Sequence, residues 1–156
     1  MKHKTYGIAV LLAAVLLLSG CFGGTVKTGL LSRWDCGTPL AARFFSLSGD
    51  GQRHTLELDP SRLEDLTQTL DAMTYKTHGF HTDYFWGGQF GIELDLEDGR
   101  IWRYDGTRME LYAAAPGPED RPVNSSFVEV TGEDFWETMK DFFPDLDKYR
   151  VFSSTW

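Results

Sequence analysis

FGIELDLEDGRIWRY, residues 90–104, is the stretch that decides the fold class. Its first residues, 90–96, alternate between apolar side chains and small or acidic ones. This period of two is typical of a β-strand that buries one face and turns the other outward. We therefore predict an antiparallel sheet whose outer face carries the acidic positions, Glu93 and Asp95 among them.

The turn after this strand sets the register of the sheet. A two-residue loop would place Leu94 opposite Arg103 and would mix the apolar and polar faces. A three-residue loop, residues 97–99, pairs Leu94 with Trp102 on one face and Glu93 with Arg103 on the other. We predict the three-residue loop, because a sheet with one buried face needs its apolar side chains on the same side.

Further strands extend the sheet on both sides of this hairpin. Residues 105–112 begin with a turn and add a third strand, which gives a meander. Another hairpin joins residues 42–48 to residues 52–58 through a glycine loop. Its register pairs Arg43 with Glu57 on the outer face, and opposite charges across a strand pair are favourable.

Two amphipathic helices are predicted. The first begins at Pro60 after a capping Asp59, and the second, residues 133–143, is capped by Thr131 and ended by Pro144. The apolar stripes are Leu63, Leu66, Leu70 and Met73 in the first helix and Phe135, Met139, Phe142 and Phe143 in the second. The expected fold is α+β, an antiparallel sheet of about five or six strands with both helices packed on one face.

The two helices follow similar segments. Residues 56–60 and residues 128–132 both run from a strand through a capping residue into a helix. An internal duplication and a chance similarity both account for this pattern, and both remain open.

The amino terminus has the parts of an export signal. A short basic head is followed by an apolar run at residues 8–18 and then by Leu18-Ser19-Gly20-Cys21. The run is shorter than the ~20 apolar residues of a transmembrane helix. The last four residues resemble the lipobox of bacterial lipoproteins. The resemblance implies a diacylglycerol on the Cys21 thiol, cleavage before Cys21, and a domain held outside the cytoplasm at the cell membrane or the outer membrane.

An ordinary cleaved signal or a short anchor, with Cys21 incidental, is the alternative. On the lipoprotein interpretation, residues 1–20 are the signal peptide, 21–39 are the lipidated cysteine and a tether, and 40–156 are a single α+β domain. Leu30, Leu31 and Trp34 indicate that part of the tether packs on the body.

Composition excludes several classes of protein. The formal net charge of -8 does not suit nucleic acid, whose phosphates attract basic surfaces. The chain has 2 cysteines. Lipidation of Cys21 would leave Cys36 without a disulfide partner, and we expect a buried or idle thiol there. No nucleophile motif or cofactor motif is present, so we predict a protein that is not an enzyme and has no cofactor.

The loop after the first helix holds the candidate ligating residues. His78, His81 and Asp83 offer two imidazoles and a carboxylate, which is chemistry suited to a metal ion or to acid–base catalysis. Their spacing does not bring them together by itself and no fourth ligand lies nearby. A solvated polar loop is therefore the preferred interpretation.

Aromatic side chains cluster in the same loop. Tyr84, Phe85 and Trp86 are the candidate binding surface, since exposed aromatic rings stack on sugars and peptides. Packing in the core is the alternative for each of them.

These observations predict a membrane-anchored, non-enzymatic binding or interaction module of the cell envelope. Its partners would be the membrane, through lipid on Cys21, and an envelope protein or a wall-derived ligand. The alternatives are a small envelope hydrolase or metal-dependent enzyme that uses His78, His81 and Asp83, and a structural accessory subunit.

Overall fold

A computed structural model describes residues 25–47, 52–78, 89–116 and 120–149. The predicted signal peptide and Cys21 lie outside the described residues. The described chain forms one antiparallel sheet with helical segments on one of its faces.

In the described residues the sheet has eight strands, in the order β1-β4-β8-β7-β6-β5-β2-β3. The strands are β1 (Lys27–Thr28), β2 (Pro39–Leu47), β3 (Arg53–Glu57), β4 (Thr74–His78), β5 (Gln89–Leu96), β6 (Ile101–Tyr104), β7 (Arg108–Tyr112) and β8 (Asn124–Thr131). All neighbouring strands are antiparallel. The predicted α+β class and antiparallel sheet are confirmed.

The predicted number of strands, five or six, is wrong. β1 has only two residues, too few to show a period, and it pairs with β4 at Tyr75 and Thr74. The sequence of β4, TYKTH, predicts a loop because it lacks alternating apolar residues. It is nevertheless held between β1 and β8, and Tyr75 is buried in the core. Pairing on both sides stabilises a strand that its own residues do not specify.

The predicted registers are confirmed. Leu94 lies opposite Trp102 and Glu93 lies opposite Arg103, as the three-residue loop requires. In the other hairpin, Arg43 lies opposite Glu57. Gly99 closes the first turn with φ +84°, a conformation that glycine adopts without strain.

The first helix begins as predicted. A 3₁₀ turn at Pro60–Arg62 leads into α1, Leu63–Ala72, and the Asp59 carboxylate accepts a hydrogen bond from Ser61 N at 2.9 Å. This bond satisfies a backbone donor that the helix start leaves unpaired.

The second helix starts later than predicted. α2 covers Phe135–Lys140, and its cap is Asp134 rather than Thr131. The Asp134 carboxylate accepts from Trp136 N at 2.9 Å and from Glu137 N at 3.3 Å. Thr131 still belongs to β8, where it lies opposite Thr74.

Both helices pack on the same face of the sheet, which confirms their predicted placement. Tyr104 of the sheet meets Phe135 of α2 edge-on, with 4.7 Å between ring centroids. Leu66 and Leu70 of α1 are fully buried. The strands that precede the two helices lie in different places, since β3 is at the edge of the sheet and β8 is in its interior.

The segment before β2 also packs on this face. Gly29 N donates to Met73 O and Leu30 N donates to Leu70 O, both at 3.2 Å. Leu30 and Leu31 are buried, and Trp34, in the 3₁₀ turn Ser32–Trp34, packs against the core. Part of the predicted tether therefore belongs to the packed body.

Candidate functional site

The face of the sheet opposite the helices carries a row of charged residues. The strand pairings place one residue from each of β3, β2, β5, β6, β7 and β8 side by side. These residues are Glu57, Arg43, Glu93, Arg103, Glu110 and Ser125. Acid and base alternate along the row until it ends at the serine. We call this surface the charged face.

Glu93 is the centre of the charged face, and its side chain is 0% exposed. Its Oε2 accepts from Arg43 Nε at 2.9 Å and from Arg53 Nη2. Its Oε1 accepts from Arg103 Nε at 3.0 Å and from Arg103 Nη2 at 2.6 Å. Three guanidinium groups thus enclose one carboxylate, and both of its oxygens are hydrogen-bonded.

A second carboxylate joins this cluster from the same strand. Arg43 donates from Nη1 and Nη2 to the two oxygens of Asp95, at 2.9 and 2.6 Å. Such a two-pronged contact fixes the plane of the guanidinium. The hydrogen bond with Asp95, together with Glu93, raises the pKa of Arg43 above its usual value, so this residue stays charged.

Aromatic rings lie between the arginines. The guanidinium carbons of Arg53 and Arg103 lie 5.1 and 4.5 Å from the centroid of Phe45. Arg103 also lies 5.0 Å from the ring centroid of Tyr112. Cations over ring faces are attracted by the ring quadrupole. These contacts bury Phe45 and Tyr112 on a face that no helix of the described residues covers.

Gly91 makes room for Phe45. A Cβ at this position would lie 2.7 Å from Phe45 Cε1 and 2.6 Å from the backbone oxygen of Tyr104. Both distances are shorter than a carbon atom tolerates, so only glycine fits between ring and strand. The ring can therefore lie close to the sheet and support the arginines above it.

Tyr112 ends the aromatic part of the cluster. Its hydroxyl donates to Glu110 Oε2 at 2.7 Å. Burial, together with this hydrogen bond, raises the pKa of Tyr112 above its usual value, so the phenol keeps its proton. The group acts here as a hydrogen-bond donor and not as a base.

Glu93 lies on the outer face, as predicted, and its carboxylate is buried there. The arginines exclude water by covering it with their own side chains. Asp95 is partly exposed, and Glu57 and Glu129 are exposed.

Of the residues predicted to bind a metal, only His78 is described. It ends β4, and its Nε2 lies 2.8 Å from Glu129 Oε2 in an exposed pair. Within residues 25–47, 52–78, 89–116 and 120–149, no group of three potential ligands is arranged to hold a metal ion. His81 and Asp83 lie outside the described residues.

The predicted binding residues Tyr84, Phe85 and Trp86 also lie outside the described residues. Phe90, the nearest described aromatic residue, packs on the helix side of the sheet. Its ring centroid is 4.9 Å from that of Trp136.

Cys36 is buried among the apolar residues, as expected of an idle thiol. Burial raises the pKa of its thiol to about 11. At neutral pH the thiol is protonated, and the protonated form is a poor nucleophile.

The charged face is the part of the site that sequence reasoning missed. The sequence predicts the cross-strand neighbours Arg43–Glu57 and Glu93–Arg103 separately. These pairs form one cluster only because β2 lies beside β5, and these two strands are distant in sequence. The contact of Arg53 with Glu93 could not be predicted from the sequence, because Arg53 reaches Glu93 across the intervening strand β2.

No family model, no curated protein and no solved structure matches this chain. In the described residues, no helix has the length and apolar character needed to cross a membrane. Functional assignment therefore rests on the residues themselves.

Proposed function

We propose that this protein is a lipid-anchored, extracytoplasmic binding module of a bacterial envelope, and that it contacts an acidic partner protein through the charged face. It acts without catalysing a reaction. Cys21 would carry the anchor, and the charged face would supply the contact surface.

The support for the anchor is the motif Leu18-Ser19-Gly20-Cys21 at the end of an apolar run. The first strand begins at Lys27. An extended link from Cys21 to Lys27 spans at most about 20 Å. The body would therefore sit close to the bilayer, and its partner would be another protein at the same surface.

The observation that carries the binding proposal is the layering of charge on the charged face. The Glu93 carboxylate is innermost, whereas Arg53 and Arg108 are 36% and 37% exposed. In the central cluster, three arginines outnumber the carboxylates Glu93 and Asp95. A partner approaching this face meets the exposed parts of Arg53 and Arg108 beside the partly exposed Asp95 and the exposed Glu57. Arg53 and Arg108 are the groups there that can bind a partner's carboxylates, in two-pronged geometry.

The anchor is tested with Cys21→Ala in the producing bacterium. We expect the wild-type chain in the membrane fraction and the variant in the soluble extracytoplasmic fraction. Metabolic labelling with a fatty acid should mark the wild-type chain alone. A variant that stays membrane-bound would contradict the lipid anchor.

The binding surface is tested by photo-crosslinking in cells. A photoreactive residue replaces Ser125, on the charged face, or Glu64, on the exposed side of α1, in otherwise identical full-length chains. We expect an adduct with an acidic envelope protein from position 125 and not from position 64. The variant Arg108→Glu should weaken this adduct, because it reverses an exposed charge on that face without removing a contact to Glu93. Equal adducts from both positions would refute the assignment.

The alternative function is a small hydrolase or metal-dependent enzyme that uses His78, His81 and Asp83. The double variant His78→Ala/His81→Ala separates the two proposals. Loss of bound metal and of an envelope phenotype in this variant, with the position 125 adduct retained, would favour the enzyme. Unchanged metal content and phenotype would favour the binding module.

A further inference from the structure

The two edges of the sheet are built differently. One edge is β1, which has two residues and includes Lys27. Short strands and lysines are common means of preventing a sheet from pairing with another chain. The other edge is β3, whose five residues, RHTLE, contain neither lysine nor proline. Among the described residues, β3 has β2 on one side and no strand on the other.

The backbone groups on the open side of β3 can be identified. Leu58 N donates to Ala42 O at 2.9 Å. In an antiparallel pair, hydrogen-bonded positions alternate, so the N–H and C=O groups of His54 and Leu56 also point toward β2. Those of Arg53, Thr55 and Glu57 point away from the sheet. All three residues are exposed.

Arg53, Thr55 and Glu57 are complementary to the same three residues of a second, antiparallel β3 strand. If a second β3 lies antiparallel with Thr55 opposite Thr55, each Arg53 lies opposite Glu57 of the other copy. The three pairs are then hydrogen-bonded pairs, because they consist of the outward-pointing residues. Opposite charges and paired threonines are among the cross-strand pairs that stabilise a sheet.

The charged face continues across this junction. Within one chain, the row begins with Glu57 beside Arg43 and Glu93. In the register described above, Arg53 of the second copy becomes the next residue of the row, beside Glu57. The alternation of acid and base is therefore preserved from one copy into the other.

We propose that two copies of this chain associate edge to edge through β3, with Thr55 on the two-fold axis, and form one continuous sheet. Association of this kind is isologous and closed, so it gives dimers and not fibres. A second copy fits this edge better than an unrelated strand, because the edge presents an acid and a base at positions that are exchanged by the two-fold axis.

Disulfide crosslinking tests the register. Full-length protein in its native membranes carries Thr55→Cys or, as the matched control on the opposite edge, Thr28→Cys. Across a hydrogen-bonded pair the two Cα atoms are about 5.5 Å apart, a distance that a disulfide spans. We expect mild oxidation to give dimers with Thr55→Cys and only the wild-type background with Thr28→Cys. Equal crosslinking of the two variants would overturn the proposal.

A charge placed on the axis tests the association without a crosslink. Thr55→Lys brings two ammonium groups face to face, whereas Thr28→Lys makes the same change at the other edge. Sedimentation of the purified full-length chains in detergent should show dimers for wild type and Thr28→Lys and monomers for Thr55→Lys, with a cooperative unfolding transition in all three. A monomeric wild type, or a Thr55→Lys variant that remains dimeric, would overturn the proposal. A monomeric wild type would favour pairing of the β3 edge with a strand of another protein.

Discussion

Glu93 and Leu94 are neighbours in β5, and each is completely buried, but on opposite faces of the sheet. Leu94 packs among the apolar residues that the helices cover. Glu93 is enclosed by the side chains of Arg43, Arg53 and Arg103. One sheet thus excludes water in two ways, by an apolar layer on one side and by paired charges on the other.

The two faces differ in how much stability is lost when a single side chain is removed. Apolar contacts are non-directional, and losing one of them leaves the others favourable. Moving a charge out of water is costly, and the cost is offset only while its partners are in place. The charged face should therefore depend more strongly on each individual group than the apolar face does.

The largest effect is expected for Glu93→Ala. Removing this carboxylate leaves three guanidinium groups close together with one partner fewer, and we expect the free energy of unfolding to fall by about 4 kcal/mol. Urea denaturation of the purified chain measures the change. Glu57→Ala, in the same row but at the exposed edge, should cost less than about 1 kcal/mol. Similar losses for the two variants would show that Glu93 is not the centre of the cluster.

A somewhat smaller loss is expected for Leu94→Ala. The cavity and the lost burial should lower the free energy of unfolding by about 3 kcal/mol. The matched control is Leu40→Ala, whose side chain is exposed and should contribute almost nothing. If Leu94→Ala costs clearly more than Glu93→Ala under the same conditions, the charged face is the more tolerant of the two.

Arg103→Lys keeps the charge and tests geometry alone. It removes the paired hydrogen bonds from Nε and Nη2 to Glu93 Oε1 and the stacking on Phe45 and Tyr112. We therefore expect a loss of about 2 kcal/mol in urea denaturation. Arg108→Lys is the control, because Arg108 is more exposed and lies 3.6 Å from Glu110. Its cost should be about 0.5 kcal/mol. Equal costs would mean that only the charge of Arg103 matters.

The smallest effect on stability is expected at Cys36, where the measured quantity is the rate of thiol labelling. Its thiol is buried among the apolar residues, so this rate shows how often that side of the sheet opens. Its pKa of about 11 leaves roughly one thiol in a thousand ionised at pH 8. Ionisation rises with pH toward 11, so labelling by a thiol reagent at pH 8 should be slow in the folded chain and fast in urea. Thr28→Cys, an exposed thiol at the β1 edge of the sheet, supplies the reference rate.

Labelling of Cys36 also shows whether the two faces unfold together. If they do, Glu93→Ala and Leu94→Ala should both speed the labelling in proportion to their loss of stability. If only Leu94→Ala speeds it, the charged face opens without disturbing the helices.

The sequence predicts the structural features that are set by residues close together in the chain. The alternation in β5 and the length of the following loop were enough to place Leu94 opposite Trp102. β4 could not be predicted, because its structure comes from pairing with β8 and β1 rather than from its own residues. The same limit applies to the site, since the carboxylate of Glu93 meets Arg43 and Arg53 only after distant strands have come together.

Gly91 has a consequence for related sequences. A side chain at this position would strike both the Phe45 ring and the Tyr104 carbonyl. A smaller residue in place of Phe45 would relieve the first contact but not the second. We therefore expect position 91 to remain glycine in homologues of this chain even where position 45 carries a smaller residue, unless the spacing of β5 and β6 also changes.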